Sequence, residues 1–357
     1  MQESDRRAGA SPIHRGKSSG RWKHRPPGSN WGDFGLDDQA GRLNLLTPEK
    51  VLQGMAEVKN GISFCLSLPL DFPGGNVLNE RRHPPDLRPT VRNGKANINY
   101  VMAQDKPLST DVMSDDAVLL HTQYSTQWDG LAHVGSLFDA DGDGVAEALY
   151  YNGYRAGKDV FPGGYTMASG ARIVSSLGIE KMAQTCVQGR AVMIDLRRHF
   201  GDGRTDVGFE KLMRVMALDD VVVEQGDMVC LHTGFADVIM KMNGQPDHHT
   251  LENACAVLDG RDEQLLNWID SSNLAAIACD NYAVESHPAA QRGGCCSAVP
   301  LHELCIFKLG IHLGELWQLT PLADWLVANR RSRFLLTAPP LCLPGAIGSP
   351  VTPIGTV

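Results

Sequence analysis

Between residues 121 and 133 the chain reads HTQYSTQWDGLAH. Few stretches of thirteen residues hold so many side chains able to bind a metal or move a proton. A carboxylate to anchor a cation, amide or imidazole groups beside it and a free histidine nearby are the parts of a hydrolytic metal centre. In a strand, side chains alternate with period two. His121, Gln123, Ser125, Gln127 and Asp129 would then share one face, and Thr122, Tyr124, Thr126 and Trp128 the other. Gly130 would let the chain turn, bringing His133 back toward Asp129. Gln127 offers a neutral carbonyl oxygen beside that carboxylate. A histidine ordinarily titrates near neutrality, which suits His133 to acid–base work. The plainer readings are a turn aspartate and a buried histidine bonded to backbone.

A second group lies in LHELCIFKLGIHLGELW, from residue 301 to 317. His302 opens an expected helix, and Glu315 closes the short strand after it. Glu303 and His312 are the other candidates there, each with a bland reading: a first-turn acid favouring the helix dipole, and an exposed strand histidine. Glu315 stands among Ile, Leu, Gly and Trp, where a carboxylate is buried and needs a partner such as a metal. A third set, Asp280, Glu285 and His287, follows the apolar run LAAIAC at a strand end, where α/β folds place their sites. HTG at 232–234 also ends a strand.

The elements that must position these groups alternate between strand and helix, which gives an α/β class. Thr47, Pro48 and Glu49 mark a helix start, with the helix running to about residue 59. Strands are expected at 62–70, 117–126, 191–196, 227–234, 274–280, 311–316 and 333–339. Helices are expected at 176–184, 209–217, 262–270, 301–309 and 323–329. Residues 71–112, rich in Pro, Asn, Gly and Arg, form a long excursion of the kind used for lids, arms and specificity. DADGDG at 139–144 resembles a calcium loop, but Tyr150 stands where the bidentate Glu is required, so a tight acidic turn is expected. Residues 1–29 carry seven Lys and Arg among Gly, Ser and Pro and read as a basic tail, disordered or laid on the surface. Residues 30–357 read as one domain.

The 357 residues, 43% hydrophobic and 21% charged, suffice for a substantial core. A net charge of −8 argues against nucleic acid and anionic membrane as partners. Nine cysteines, an odd number without a CxxC pair, read as reduced thiols and hence as a cytoplasmic protein. No apolar run reaches the ~18 residues that span a bilayer. Nucleotide-binding glycine loops, HExxH and GxSxG are absent.

In order and spacing, these blocks resemble the cyclase-like metal-dependent hydrolases, the family of kynurenine formamidase and isatin hydrolase. The family signature HxGTHxDxPxH falls on Gln123, Ser125, Thr126, Gln127, Asp129, Leu131 and His133, and its later His and Glu on His302 and Glu315. NWGDFGLDDQAGRLNLLTPEKV, GRAVMIDLRR and VEQGDMVCLHTGF resemble other blocks, so the likeness spans roughly residues 30 to 345. It implies a mixed, partly barrel-like β core flanked by helices, assembled as a homodimer or homotetramer. It also implies a divalent metal held by Asp129, His302 and Glu315, with Gln127 as a weaker fourth ligand, and His133 as acid–base. Water readied by the metal would open a small cyclic amide, imide or lactone. Two signature histidines are glutamines here, Gln123 and Gln127. An amide oxygen is a harder, weaker ligand than imidazole, which favours one Mn2+ or Mg2+ ion over Zn2+. Substrate contacts are expected from Trp31, Gln123, Trp128 and His121. A metal-dependent cyclase or dehydratase, or a non-catalytic binding relative, are the alternatives.

Overall fold

The computed structural model describes residues 20–160, 176–291, 293–294 and 296–357. Its centre is a nine-stranded sheet. In chain order the strands are β1 (Ser63–Cys65), β2 (Gln127–Asp129), β3 (Gln188–Asp195), β4 (Met228–His232), β5 (Ala276–Cys279), β6 (His312–Glu315), β7 (Arg333–Thr337), β8 (Gly348–Pro350) and β9 (Ile354–Thr356). Across the sheet they run β1-β9-β7-β3-β4-β5-β6-β2-β8. β3 to β6 are parallel to one another. They are apolar runs buried nearly throughout, as strands covered on both faces must be. Antiparallel strands extend both sides: β7, β9 and β1 on one, β2 and β8 on the other.

The sheet curls into a half-barrel, and the chain itself shows how far. β8 is one edge and β9 lies next to the other, about 34 Å away if the sheet were flat. Only residues 351–353 separate them, a reach of about 14 Å. The segment closes the seam by hydrogen bonds, with Val351 N–H donating to Thr126 O (3.2 Å) and Leu66 N–H to Pro353 O (2.8 Å).

Helices fill both faces. α1 (Pro48–Ala56) begins as expected, with the Thr47 hydroxyl accepting from Lys50 N–H (3.3 Å), but it ends three residues before the expected stop. α2 (Phe209–Leu218) and α3 (Glu263–Ser271) cross between parallel strands, and Asp262 caps α3 while also accepting from Phe209 N–H (2.7 Å). One core is built on Leu231, Ile277, Leu313 and Phe307, a second on Trp128, Trp317, Phe334 and Cys230, and a smaller third on Leu68, Phe235, Ile239 and Leu251. No helix among the described residues is long and apolar enough to cross a membrane.

Two features differ from expectation. The strand expected at 117–126 is confined to Asp116–Leu119 and pairs with Asp86–Pro89 in an arm. That arm, built of three two-stranded ladders, takes up much of the 71–112 excursion. Its charged and exposed residues lack the buried face that would draw them into the main sheet. Trp31 is not a substrate wall: it is fully buried, edge-on to Phe307 at 5.1 Å, with its indole N–H donated to Phe307 O. Residues 20–29 lie on the body, where the Arg21 guanidinium stacks on Tyr154 (4.1 Å) and Lys23 N–H donates to Ala140 O. The rest of the basic tail, residues 1–19, lies outside the described residues.

Beneath α1, the fully buried Asp227 receives Arg190 through two bonds of 2.9 Å and Lys50 at 3.0 Å. Removing the acid takes away the close partner of Lys50 and leaves Arg190 only the half-exposed Glu224 (2.7 Å), so Asp227→Ala should cost about 3 kcal/mol in urea unfolding. A loss below about 1 kcal/mol would show that the cations find water instead. At the ends of β3 and β4, Asp195 accepts from His232 Nδ1 at 2.8 Å. Burial opposes charge on both, yet the bond prevails, raising the pKa of His232 and lowering that of Asp195. The share from His232 is complete below its ordinary 6.5 and drains away as pH climbs through the raised value. The share from Asp195 is complete above its ordinary 3.8 and is lost as pH falls through the lowered value. The stability gap between wild type and His232→Gln should therefore peak between these two pH values and shrink on either side. A gap independent of pH would refute the pairing.

Candidate functional site

β2 is only three residues long, but it lies between β6 and β8, so all three side chains are buried. Gln127 and Asp129 point to one face, and Trp128 to the other. Gln127 lies opposite Glu315, and Asp129 opposite Leu313. Trp128 packs at 5.0 Å against Trp317, donates its N–H to Ala338 O and is fully buried. It is a core residue, and the expectation that it lines the site is corrected.

His302 ends the short turn Pro300–His302, which runs into the π-helical Glu303–Lys308, a geometry frequent at functional sites. Asp129, His302 and Glu315 are brought together, each at most 4% exposed. His302 Nε2 lies 3.3 Å from Glu315 Oε1 and 3.9 Å from Asp129 Oδ2. Glu285 holds the far side of His302, accepting from its Nδ1 (2.8 Å) and from the backbone N–H groups of Leu301 and His302 (3.0 Å each). Gly260 makes room for it, since a Cβ there would stand 2.1 Å from Glu285 Oε2. Burial works against charge on His302, but Glu285 and Glu315 outweigh it and lift its pKa to about 10.

The two glutamines are used as donors. Gln127 Nε2 donates to Glu315 Oε2 (3.1 Å), and Gln123 Nε2 donates to Asp129 Oδ1 (2.5 Å) and His133 Nδ1 (2.8 Å). Gly348 of β8 lets Gln123 lie flat over the strand. Each carboxylate thus has one oxygen occupied by an amide and the other turned toward His302 Nε2. Among the described residues, Asp129 Oδ2 and Gln127 Oε1 are buried without a hydrogen-bond partner. Buried unpaired oxygens are costly, and these two lie on the same face as the His302 and Glu315 atoms. The donor set suits one hard divalent cation, with mostly oxygen ligands and one imidazole whose second nitrogen is fixed by a carboxylate.

His133, partly exposed, lies with Nε2 3.8 Å from Asp129 Oδ1. The 2.8 Å contact of Nδ1 with the Gln123 amide holds the ring with Nε2 toward Asp129, and the same amide turned end for end would accept from Nδ1–H. His121 is not on this face. The chain between Leu119 and Gln127 turns instead of extending, so alternation does not reach it. Its Nδ1 accepts from His83 N–H (3.2 Å), and its ring stands against that of His83.

Other candidates lie elsewhere. Glu303 accepts from Ser136 Oγ. His312 is buried, and desolvation presses its pKa down to about 3 against the pull of Asp129, so it stays neutral. Asp280 is fully buried, accepting from Thr233 and Gly234, and burial raises its pKa. Asp139, Asp141 and Asp143 are close together, and Asp139 accepts from three backbone N–H groups in a hairpin turn. Glu285 was legible only as a polar residue after a strand; its bond to His302 spans 17 residues and leaves no spacing signal.

A family model described as "Putative cyclase" matches residues 66–286, a span that contains Gln123 to His133 and ends before His302 and Glu315. No curated protein matches the chain. Among solved structures, one described as a novel cyclase shares 27% identity with a TM-score of 0.72, covering 94% of this chain and all of the other. Isatin hydrolase A from Labrenzia aggregata, bound to benzyl benzoate, shares 13% (TM-score 0.52; 86% and 97% covered). An isatin hydrolase bound to the product analogue thioisatinate also shares 13% (TM-score 0.51; 87% and 99% covered). The last two show a shared fold.

The cluster predicts opposite responses to its two states. Without metal, Asp129 and Glu315 repel, so Asp129→Asn should leave the thermal midpoint unchanged or raise it. With 1 mM Mn2+ (about 100 times an assumed Kd), the wild-type midpoint should rise by several degrees, by the mass-action term of roughly 2.7 kcal/mol. The Asn variant should not respond. Equal responses of the two proteins would place the cation elsewhere.

Proposed function

The chain belongs to the cyclase family of enzymes, and on that premise we propose that it is a metal-dependent hydrolase that opens a small cyclic amide, imide or lactone. The observation that supports this reading is the convergence of Asp129 Oδ2, Glu315 Oε1 and His302 Nε2, buried and with His133 beside them. Asp129, His302, Glu315 and the Gln127 carbonyl oxygen would hold the ion, Mn2+ or Mg2+ in preference to Zn2+. Once bound, it would polarise the substrate carbonyl and ready a water for attack.

The chain's own residues do the rest. Glu285 aims His302 Nε2 inward. Gln127 and Gln123 each neutralise one carboxylate oxygen by donation and leave the other available. Gln123 also fixes the ring of His133, which would take the proton released by the attacking water and pass it to the departing nitrogen or oxygen, ending in its starting state. Cys230, Cys255, Cys279 and Cys305 are buried free thiols, the state in which a reducing, cytoplasmic setting would keep them. We take the enzyme to be a homodimer or homotetramer with a small-molecule substrate and no nucleic-acid or membrane partner.

A second reading, ring closure or dehydration at the same centre, draws on Gln123 and Gln127 standing where the signature has histidines. A panel containing isatin, phthalimide, dihydrouracil and a δ-lactone, with the corresponding open acids, separates the two. Ring opening should be seen with stoichiometric divalent ion by elemental analysis, and His133→Ala should lower kcat by about 10²–10⁴. Protein without stoichiometric ion would sink both readings, and turnover of the open acids alone would favour the second. An unimpaired His133→Ala would remove His133 from the mechanism.

A further inference from the structure

Tyr282 follows Asn281 just past β5, on the path to Glu285. Between them the backbone passes through two left-handed residues, Ala283 (φ 71°) and Val284 (φ 57°). A left-handed valine is an outlier, because its branched Cβ crowds the following carbonyl. The turn is pinned regardless. Leu258 N–H donates to Val284 O (3.1 Å), Ser286 N–H to Leu258 O (2.8 Å), and Asn281 Nδ2 to Ala256 O (3.1 Å), while Val284 is fully buried. Strain held this firmly belongs to sites whose geometry must be fixed.

The turn sends its two flanking side chains to different tasks. Glu285 goes to His302. Tyr282 faces a small recess that it lines with Gln123, Arg82 and Asn79. Asn79 Nδ2 donates to the phenol oxygen at 3.5 Å. The ring stands edge-on to His287 at 6.1 Å. Among the described residues the hydroxyl has no acceptor for its own proton. Burial raises the phenol's pKa, the charges of Glu315 and Asp129 add to that, and Asn79 and Arg82 oppose it. The phenol therefore keeps its proton at neutral pH and feels both cluster carboxylates. Packing accounts for the ring, and the residue lines the same recess as Gln123, whose amide reaches Asp129.

Resting on the hydrolase reading above, we propose that Tyr282 orients the substrate, its hydroxyl donating to the oxygen of the carbonyl under attack. A neutral donor fits an amide, imide or lactone oxygen that gains negative charge as the bond breaks, and it would bind the transition state more tightly than the ground state.

The test uses the full chain loaded with Co2+ and acetohydroxamate as a probe presenting a carbonyl oxygen to the ion. In Tyr282→Phe, Co2+ affinity by calorimetry should stay within twofold and the thermal midpoint within about 2 °C. Acetohydroxamate should bind roughly tenfold more weakly. With any substrate found in the panel, kcat should fall by roughly tenfold or more with KM changed less. Equal acetohydroxamate binding by wild type and Tyr282→Phe would overturn this role alone. Loss of Co2+ affinity in parallel with that of the probe would also overturn it, since Tyr282 would then be holding the cluster together. Failure of the wild type to bind Co2+ would bring down the hydrolase reading together with this one.

Discussion

Asp129 and Glu315 are like charges taken out of water and placed on neighbouring strands, at 1% and 3% exposure. In a medium of low polarity that arrangement is unfavourable unless positive charge and hydrogen-bond donors surround it. Much of the nearby architecture can be understood as meeting this demand. Two amide side chains each donate to one oxygen, and an imidazole stands between the others. A third buried carboxylate, Glu285, keeps that imidazole oriented and helps hold its charge. The strands contribute by being short and enclosed. β2 is paired on both edges, so its backbone needs no water and its side chains can be buried together.

The glutamines show how a substitution can keep a site's geometry while changing its chemistry. A histidine at 123 or 127 would offer a nitrogen lone pair to a metal. The amides spend their N–H groups on Asp129 and Glu315 instead, and Gln123 spends a second bond on His133. Ligand strength is exchanged for fixed orientation of the groups that remain. The donors left around His302 are oxygens, a set that suits a hard cation.

Much of the fold was legible because its signals are local. Thr47-Pro48 announced α1, and the apolar runs of β3 to β6 are long enough to be unmistakable. Asp129, His302 and Glu315, singled out by their resemblance to a known signature, do come together. What could not be read were the consequences of contacts between distant residues. Residues 120–126 look like a continued strand, but their path is set by Gln123 reaching Asp129 and by Arg82 donating to Gln123 O. Trp31 and Trp128 seemed fit to line a pocket because aromatic character is visible in a sequence and burial is not. Glu285 and Tyr282 were obscured by a left-handed turn at Ala283 and Val284, which nothing in those residue types suggests.

The closure of the half-barrel by residues 351–353 bears on the order in which the molecule can be made. β2 emerges early during synthesis, but its two partners are β6 and β8, and Gln127 meets Glu315 across 188 residues. Until residue 350 has left the ribosome, the strand carrying Asp129 has an unpaired edge. Contacts so remote in sequence form slowly, since a long loop must close before they repay its entropy. The parallel centre can form first, from strands and helices adjacent along the chain. The cluster of Asp129, His302 and Glu315 can close only once β6 has been made, and a nascent chain stalled before residue 312 would have much of its core without that cluster.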